Sequence, residues 1–191
     1  EDTDKERSKK EFEDDILSAL KWLNLDYDEI YRQSERTEIY KKHLKKMVSD
    51  GSAYEAEESA GGSGKVIRFK NPNMKISWND LIRGKIEFDT TELKDFVIAK
   101  NMETPLYHLA VVVDDLEMGV THVIRGEDHI SNTPRQMLIG RALGAPEFFY
   151  AHIPLILAPD KSKLSKRHGA VSVNEYTRLG YEPGAVINFL A

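Results

Sequence analysis

Apolar residues recur at helical intervals near the start of the chain. Phe12, Ile16, Leu20 and Leu23 fall on one face, so residues 4–23 are expected to form an amphipathic helix with a strongly acidic outer face. Thr3 and Glu6 have capping-box spacing at its start. Beyond the turn-like NLDYDE, Tyr40, Leu44, Met47 and Val48 form a second apolar stripe, predicting a helix over 34–50 that Gly51 ends, with Lys41, Lys42, Lys45 and Lys46 facing outward. EAEESAGGSG then breaks the pattern and reads as a linker or shortened loop. From Val66 to Ile98 the short runs VIRF, KISW, KIEFD and DFVIA, separated by NPN, IRGK and TTELK, predict a small antiparallel unit inserted into the chain.

Periodicity alone allows YHLAVVVDDLEMG to be a helix or a buried strand, and the Thr104-Pro105 start favours helix. THVIRG reads as a strand. SNTPRQMLIGRALG opens on capping residues and Pro134 and closes on Gly144, which predicts a helix. HIPLIL is a continuous apolar run, as expected of a strand buried on both faces of a parallel sheet. Strand, helix, strand in that order predicts a right-handed βαβ crossover and an α/β fold.

Composition narrows the function classes. At 191 residues the chain suits one globular unit, or a small core with an insert. No apolar run approaches the roughly 18 residues that a bilayer requires, and no secretory start is present, so a cytoplasmic protein outside the membrane is expected. Zero cysteines exclude disulfides, thiolate catalysis and cysteine-held zinc. With a formal net charge of −5, any nucleic-acid contact must come from local basic patches. The chain begins at Glu1 and stops within the apolar AVINFLA, so both ends are expected to be cuts in a longer protein.

Against that acidic background, LAPDKSKLSKRHGAV concentrates Lys161, Lys163, Lys166 and Arg167 directly after HIPLIL. Ligands of open α/β sheets bind at the carboxyl ends of strands, so these cations can neutralise a polyphosphate; a solvated basic loop is the other reading. In VTHVIRGEDH, Arg125 at a strand end can hold a carboxylate in bidentate fashion, with Glu127 and Asp128 serving an ammonium or a ribose hydroxyl, or Arg125 and Asp128 can form a surface ion pair. Glu1, Asp2 and Asp4 can cap a helix or hold an amino group. His122, His129, Asp114, Asp115 and Glu117 lack metal-site spacing, so no metal site is expected. Trp22 and Trp78 read as packing residues, and His43 and His108 carry no signal. Neither G-x-S-x-G, nor a Walker loop, nor G-x-G-x-x-G occurs.

Together these segments resemble the class I aminoacyl-tRNA synthetases, and among them the bacterial-type glutamyl-tRNA synthetases. KLSKR with HGAVSVNEY is similar to that family's variant of the KMSKS loop. PLYHLAVVVDDLEMGVTHVIRGEDHISNTPRQMLIGRALG and EDTDKERSKKEFEDDILSALKWL resemble two further stretches, and VIRFKNPN…DLIRGKIEFD…DFVIAK resembles the inserted acceptor-binding domain. The resemblance implies a partial Rossmann-like catalytic domain with a small inserted α+β subdomain, divided as 1–53, 54–105 and 106–191. It implies ATP-dependent activation of glutamate to an adenylate and transfer to tRNA-Glu, with Mg²⁺ accompanying ATP. Lys163 and Lys166 would be catalytic on the ATP phosphates, with Leu164, Ser165 and Arg167 in the same ATP-binding loop. Arg125 would hold the glutamate side-chain carboxylate, Tyr107 would shape that pocket and Glu1 would lie near the amino group. Lys41, Lys42, Lys45 and Lys46 are candidates for tRNA contact, and a monomer is expected.

Departures from the family pattern carry expectations of their own. Its HIGH motif would lie before Glu1, and AHIPL at 151–155 lacks the glycine and second histidine, so this stretch alone is expected to be inactive. A position that can be a substrate-contacting Asn is Val111. No structural zinc is expected, since EAEESAGGSG stands where some members carry a cysteine-rich piece. The alternative is a non-catalytic, synthetase-derived module that binds a tRNA acceptor stem.

Overall fold

A computed structural model of the chain describes residues 2–3, 8–57, 64–157, 160–161 and 172–190. The first helix, α1 (Lys10–Trp22), starts later than the apolar spacing predicts. Lys9 is extended, and no side chain caps the helix. The first turn is instead held by Lys10, whose ammonium lies 2.9 Å from Glu13 and 3.0 Å from Asp14, the spacings at which helix faces meet. Of the proposed capping box, Glu6 lies outside the described residues.

Gln33–Pro154 forms one compact unit. It opens on α2 (Thr37–Ser49), where Tyr40, Leu44 and Met47 of the predicted stripe are buried, Val48 is half-buried against them and His43 joins the buried face. β1 (Ala53–Glu57) follows, then β2 (Lys65–Phe69), β3 (Lys75–Asp80), β4 (Gly84–Asp89), β5 (Phe96–Asn101) and β6 (Thr104–Pro105). β1, β2, β5 and β6 make one antiparallel sheet, and β3 and β4 a separate hairpin. β1 corrects the linker reading of EAEESAGGSG, because Glu55, Ala56 and Glu57 pair with Ile67, Val66 and Lys65. Its only fully buried side chain is Ala53, so the strand carries almost no apolar signal; residues 58–63 lie outside the described residues.

α3 (Tyr107–Glu117) resolves the ambiguous segment as helix. Three consecutive valines lower helix propensity by a few tenths of a kcal/mol each, about what burying a single methylene returns. Leu109, Ala110, Val112 and Val113 are buried with Leu44, Met47, Ile98 and Ile139 in one core, so packing decides. β7 (His122–Gly126), α4 (Thr133–Leu143) and β8 (Phe149–Ile153) complete the predicted strand–helix–strand unit, with β7 and β8 parallel. Gly144, at φ +78°, supplies the left-handed turn that ends α4.

The strand after α4 is not HIPLIL as a whole. β8 begins at Phe149 and ends at Ile153, its inner residues Tyr150, Ala151 and His152 are buried, and Ile156 and Leu157 stay exposed. β7 runs out at Gly126, opposite Ile153, and Pro154 has no N–H to extend the ladder.

Glu1–Arg32 with Leu155–Ala191 forms the second unit. In it α1 meets α5 (Val173–Arg178) through Asn174, which donates to Asp15. Ser172 and Glu175 close a capping box on α5. α6 (Pro183–Leu190) ends the described chain. Hydrogen bonds from Arg32 and Lys10 hold the Glu13 carboxyl down at about 2. None of the described helices is long and apolar enough to cross a membrane.

Candidate substrate-carboxylate site

Because β7 and β8 are parallel, their carboxyl ends emerge together, with Arg125 opposite His152 and Gly126 opposite Ile153. The half-buried Arg125 is fixed on one edge of its guanidinium. Nε donates to His152 Nε2 at 3.3 Å and Nη2 donates to Thr133 Oγ1 at 2.7 Å. The Tyr150 ring lies 5.9 Å from the guanidinium carbon, close enough for a cation–π contact. Nε and Nη2 form the side-on edge of the fork. The end-on edge, Nη1 with the second N–H of Nη2, is not used by these bonds. Since neither acceptor is a carboxylate, the site presents a positive charge and two parallel donors, the geometry that suits a carboxylate.

Behind Arg125 lies a polar cluster that the sequence reading missed. His152 Nδ1 is 2.5 Å from Asp80 Oδ2, and both side chains are fully buried. Asp80 Oδ1 accepts from the backbone N–H of Ile82, Arg83 and His152 at 3.0–3.2 Å. Burial pushes the Asp80 carboxyl up, but these N–H groups and the His152 ring outweigh it and hold the group at about 2. The signal was present in β3: Ile76, Trp78 and Asp80 alternate inward, so a carboxylate sits in register on the apolar face. Likewise, His152 lies inside an apolar run.

The other predicted residues are placed as follows. Tyr107 is the first residue of α3, and its hydroxyl lies 3.2 Å from His129 Nδ1, which Asn132 also approaches at 3.2 Å. The segment 129–133 therefore carries contacts to both Tyr107 and Arg125. Val111, one turn further along α3, packs against the core. Glu127 pairs with Arg83. Asp128 sits over Gly126, where a Cβ would come within 2.6 Å of its Oδ1. On α2, Lys42 and Lys45 are exposed, Lys41 is half-buried and pairs with Glu103, and Lys46 reaches the Leu143 carbonyl at 3.4 Å. Glu1 and Lys163, Leu164, Ser165, Lys166 and Arg167 lie outside the described residues. No three His, Asp or Glu side chains among the described residues are grouped to hold a metal ion.

His108 gives the fold a pH-dependent stability. Burial first, then the positive charges of Arg135 and Arg125, press its imidazole from the ordinary 6.5 down to about 4. Between those values the unfolded chain binds a proton that the folded chain refuses. Stability is therefore complete above pH ~6.5 and falls as pH drops toward ~4, by up to about 3 kcal/mol. His108→Gln is expected to flatten that slope in urea unfolding compared at pH ~7.5 and ~4.5. Equal slopes for the two proteins would refute it.

A parallel β-α-β unit with a guanidinium at its strand ends, next to an antiparallel sheet and hairpin, is an α/β arrangement of the class whose ligands bind at the carboxyl ends of strands. The family of class I tRNA synthetases (E and Q), catalytic domain, matches residues 1–62 and 56–191, and the chain belongs to it. It is 47% identical to a glutamate–tRNA ligase of Aquifex aeolicus, over 100% of this chain and 48% of that protein. It is 45% identical to one of Hydrogenobaculum, over 100% and 49%. The chain thus spans about half the length of the curated relatives it matches. Among solved structures, a glutamate-tRNA synthetase from Elizabethkingia anophelis superposes with a TM-score of 0.89 at 31% identity, covering 98% of this chain and 52% of that one. A glutamate tRNA ligase from Elizabethkingia meningosepticum in complex with its amino acid gives 0.86 at 30%, covering 97% and 51%.

Proposed function

We propose that the protein is a glutamate–tRNA ligase and that Arg125 holds the side-chain carboxylate of glutamate. The observation that carries this reading is the Arg125 guanidinium, fixed at a strand end through its side-on edge by His152 and Thr133, neither of them a carboxylate, in bonds that do not use its end-on edge. The names of the relatives support the same substrate. A glutamate α-carboxylate oxygen attacks the α-phosphorus of ATP, and the bond to the β-phosphate breaks, releasing pyrophosphate. A terminal ribose hydroxyl of tRNA-Glu then attacks the acyl carbon, and AMP leaves.

In this reading Lys163 and Lys166, with Leu164, Ser165 and Arg167, stabilise the charge that develops on the phosphates. Glu1 lies near the amino group and Tyr107 shapes the pocket. Lys42 and Lys45, with Lys41 and Lys46 beside them, offer tRNA phosphates a basic face. Mg²⁺ would accompany ATP through phosphate oxygens and water rather than through a protein-held cluster. The protein would work as a cytoplasmic monomer without zinc, its segments 1–53 and 106–191 building the nucleotide fold and 54–105 the acceptor-binding insert.

ATP–pyrophosphate exchange by the full-length protein, with tRNA supplied, tests the reading. Glutamate is expected to support exchange and glutamine is not; no exchange with glutamate, or equal exchange with both, would overturn it. Lys166→Ala is expected to slow exchange by about a hundredfold while leaving glutamate affinity nearly unchanged.

A further inference from the structure

Burying a carboxylate costs several kcal/mol unless hydrogen bonds repay it, and an apolar residue often packs as well. Asp80 and His152 therefore need a reason to be where they are, since both side chains are fully buried. The hydrogen-bond pattern supplies one. Asp80 accepts from His152 Nδ1–H on one oxygen and from three backbone N–H groups on the other. With its proton held at Nδ1, the ring presents a lone pair at Nε2, where Arg125 Nε donates at 3.3 Å and the Thr133 hydroxyl lies at 3.1 Å. Thr133 accepts from Arg125 Nη2 in turn.

We propose that Asp80, His152 and Thr133 are positioning residues that lock the side-on edge of Arg125, so that only its end-on edge meets the substrate. This rests on the reading of Arg125 as the carboxylate-binding group. A locked end-on fork offers two donors in a fixed plane. It matches the two oxygens of a carboxylate and opposes the NH₂ of a carboxamide, so the clasp sets discrimination between an acidic side chain and its amide. Asp80 ends β3, and the turn that it folds also carries Arg83, which donates to the His152 carbonyl at 3.3 Å and pairs with Glu127. The inserted hairpin is thereby part of substrate recognition, although it contributes no group to the site's surface.

Asp80→Asn in the full-length protein tests this directly. An amide can accept from the backbone N–H groups yet presents NH₂ to His152 Nδ1. The ring proton must then move to Nε2, where it opposes the Arg125 Nε–H. The glutamate KM is expected to rise about ten- to a hundredfold while the ATP KM changes by less than about twofold, and glutamate-over-glutamine discrimination falls. The His152 ¹⁵N spectrum should show Nε2 passing from unprotonated to protonated. Thr133→Val keeps the volume and removes the acceptor, so a glutamate KM rise of about tenfold is expected even if Asp80→Asn folds poorly. His152→Gln, whose amide oxygen reaches the place of Nε2, should stay within about fivefold of wild type where His152→Leu does not. Glutamate KM values within about twofold of wild type for both Asp80→Asn and Thr133→Val, or equal rises in the glutamate and ATP values, would overturn the clasp. If Arg125→Ala abolishes glutamate dependence while the clasp variants do not, the clasp alone fails. If Arg125→Ala has no effect, the functional reading fails first.

Discussion

Arg125→Ala is expected to raise the glutamate KM of the full-length protein by about two to four orders of magnitude, with the ATP KM changed by less than about threefold. The magnitude follows from the two hydrogen bonds that an end-on guanidinium can give a carboxylate. Each bond to a charged partner is worth about 1.5–3 kcal/mol, and a tenfold change in affinity corresponds to about 1.4 kcal/mol. Arg125→Lys is not expected to rescue binding, because an ammonium is a point donor that cannot span both oxygens or hold His152 and Thr133 at once. Loss of the guanidinium should also relax the site's preference for an anion, so glutamate and glutamine should converge. A glutamate KM within about threefold of wild type would remove Arg125 from the site.

The parts of the fold that read well from sequence are those in which local pattern and tertiary demand agree. α4 carries a proline at its start and a glycine in the left-handed conformation after its end, and both signals act within one turn of the boundary. The hairpin of β3 and β4 alternates at period two because one of its faces packs inward. The errors fall where burial belongs to partners distant in sequence. β1 exposes most of its side chains and exists because β2 offers it a ladder. β8 ends where β7 ends, a register that no local run of apolar residues encodes. α3 was ambiguous because valine fits a strand surface and a buried helix equally well until the core around Leu44 and Ile139 is assembled.

The site was legible in the same uneven way. Arg125 stood out because a charged residue closes a predicted strand within a stretch that resembles a known family. Asp80 lies 45 residues upstream of Arg125 and His152 lies 27 downstream, and the pairing of β7 with β8 and the docking of the turn after β3 on β8, with Leu81 N–H on the Tyr150 carbonyl, bring them together. Buried polar residues of this kind occupy a periodic buried face without sharing its apolar chemistry, as Asp80 does on β3. They are found by asking which charge sits on an apolar face and what satisfies it.

The same question leads to Asp114, whose loss is the largest stability change expected of a single substitution outside the site. Asp114 is 8% exposed and sits on the buried side of α3. Its carboxylate accepts from Arg36 Nε at 2.8 Å, Gln33 Nε2 at 2.9 Å and the Tyr40 hydroxyl at 2.9 Å, so one group ties the start of the Gln33–Pro154 unit and α2 to α3. Burial, and then the hydrogen bond to Asp114 and that carboxylate's charge, push the Tyr40 phenol up, which keeps its proton in place as a donor. Asp114→Ala leaves three donors without the acceptor they share, including a guanidinium whose side chain is 12% exposed, and should destabilise the unit by about 3–5 kcal/mol. Tyr40→Phe removes one neutral donor and keeps the packing, so about 1–1.5 kcal/mol is expected. Because the donors converge on one carboxylate, Asp114→Ala combined with Tyr40→Phe should cost clearly less than the sum of the two. Urea unfolding of the three variants measures each of these differences. A cost below about 1 kcal/mol for Asp114→Ala, or strict additivity in the double variant, would mean that α3 is held by its apolar face alone.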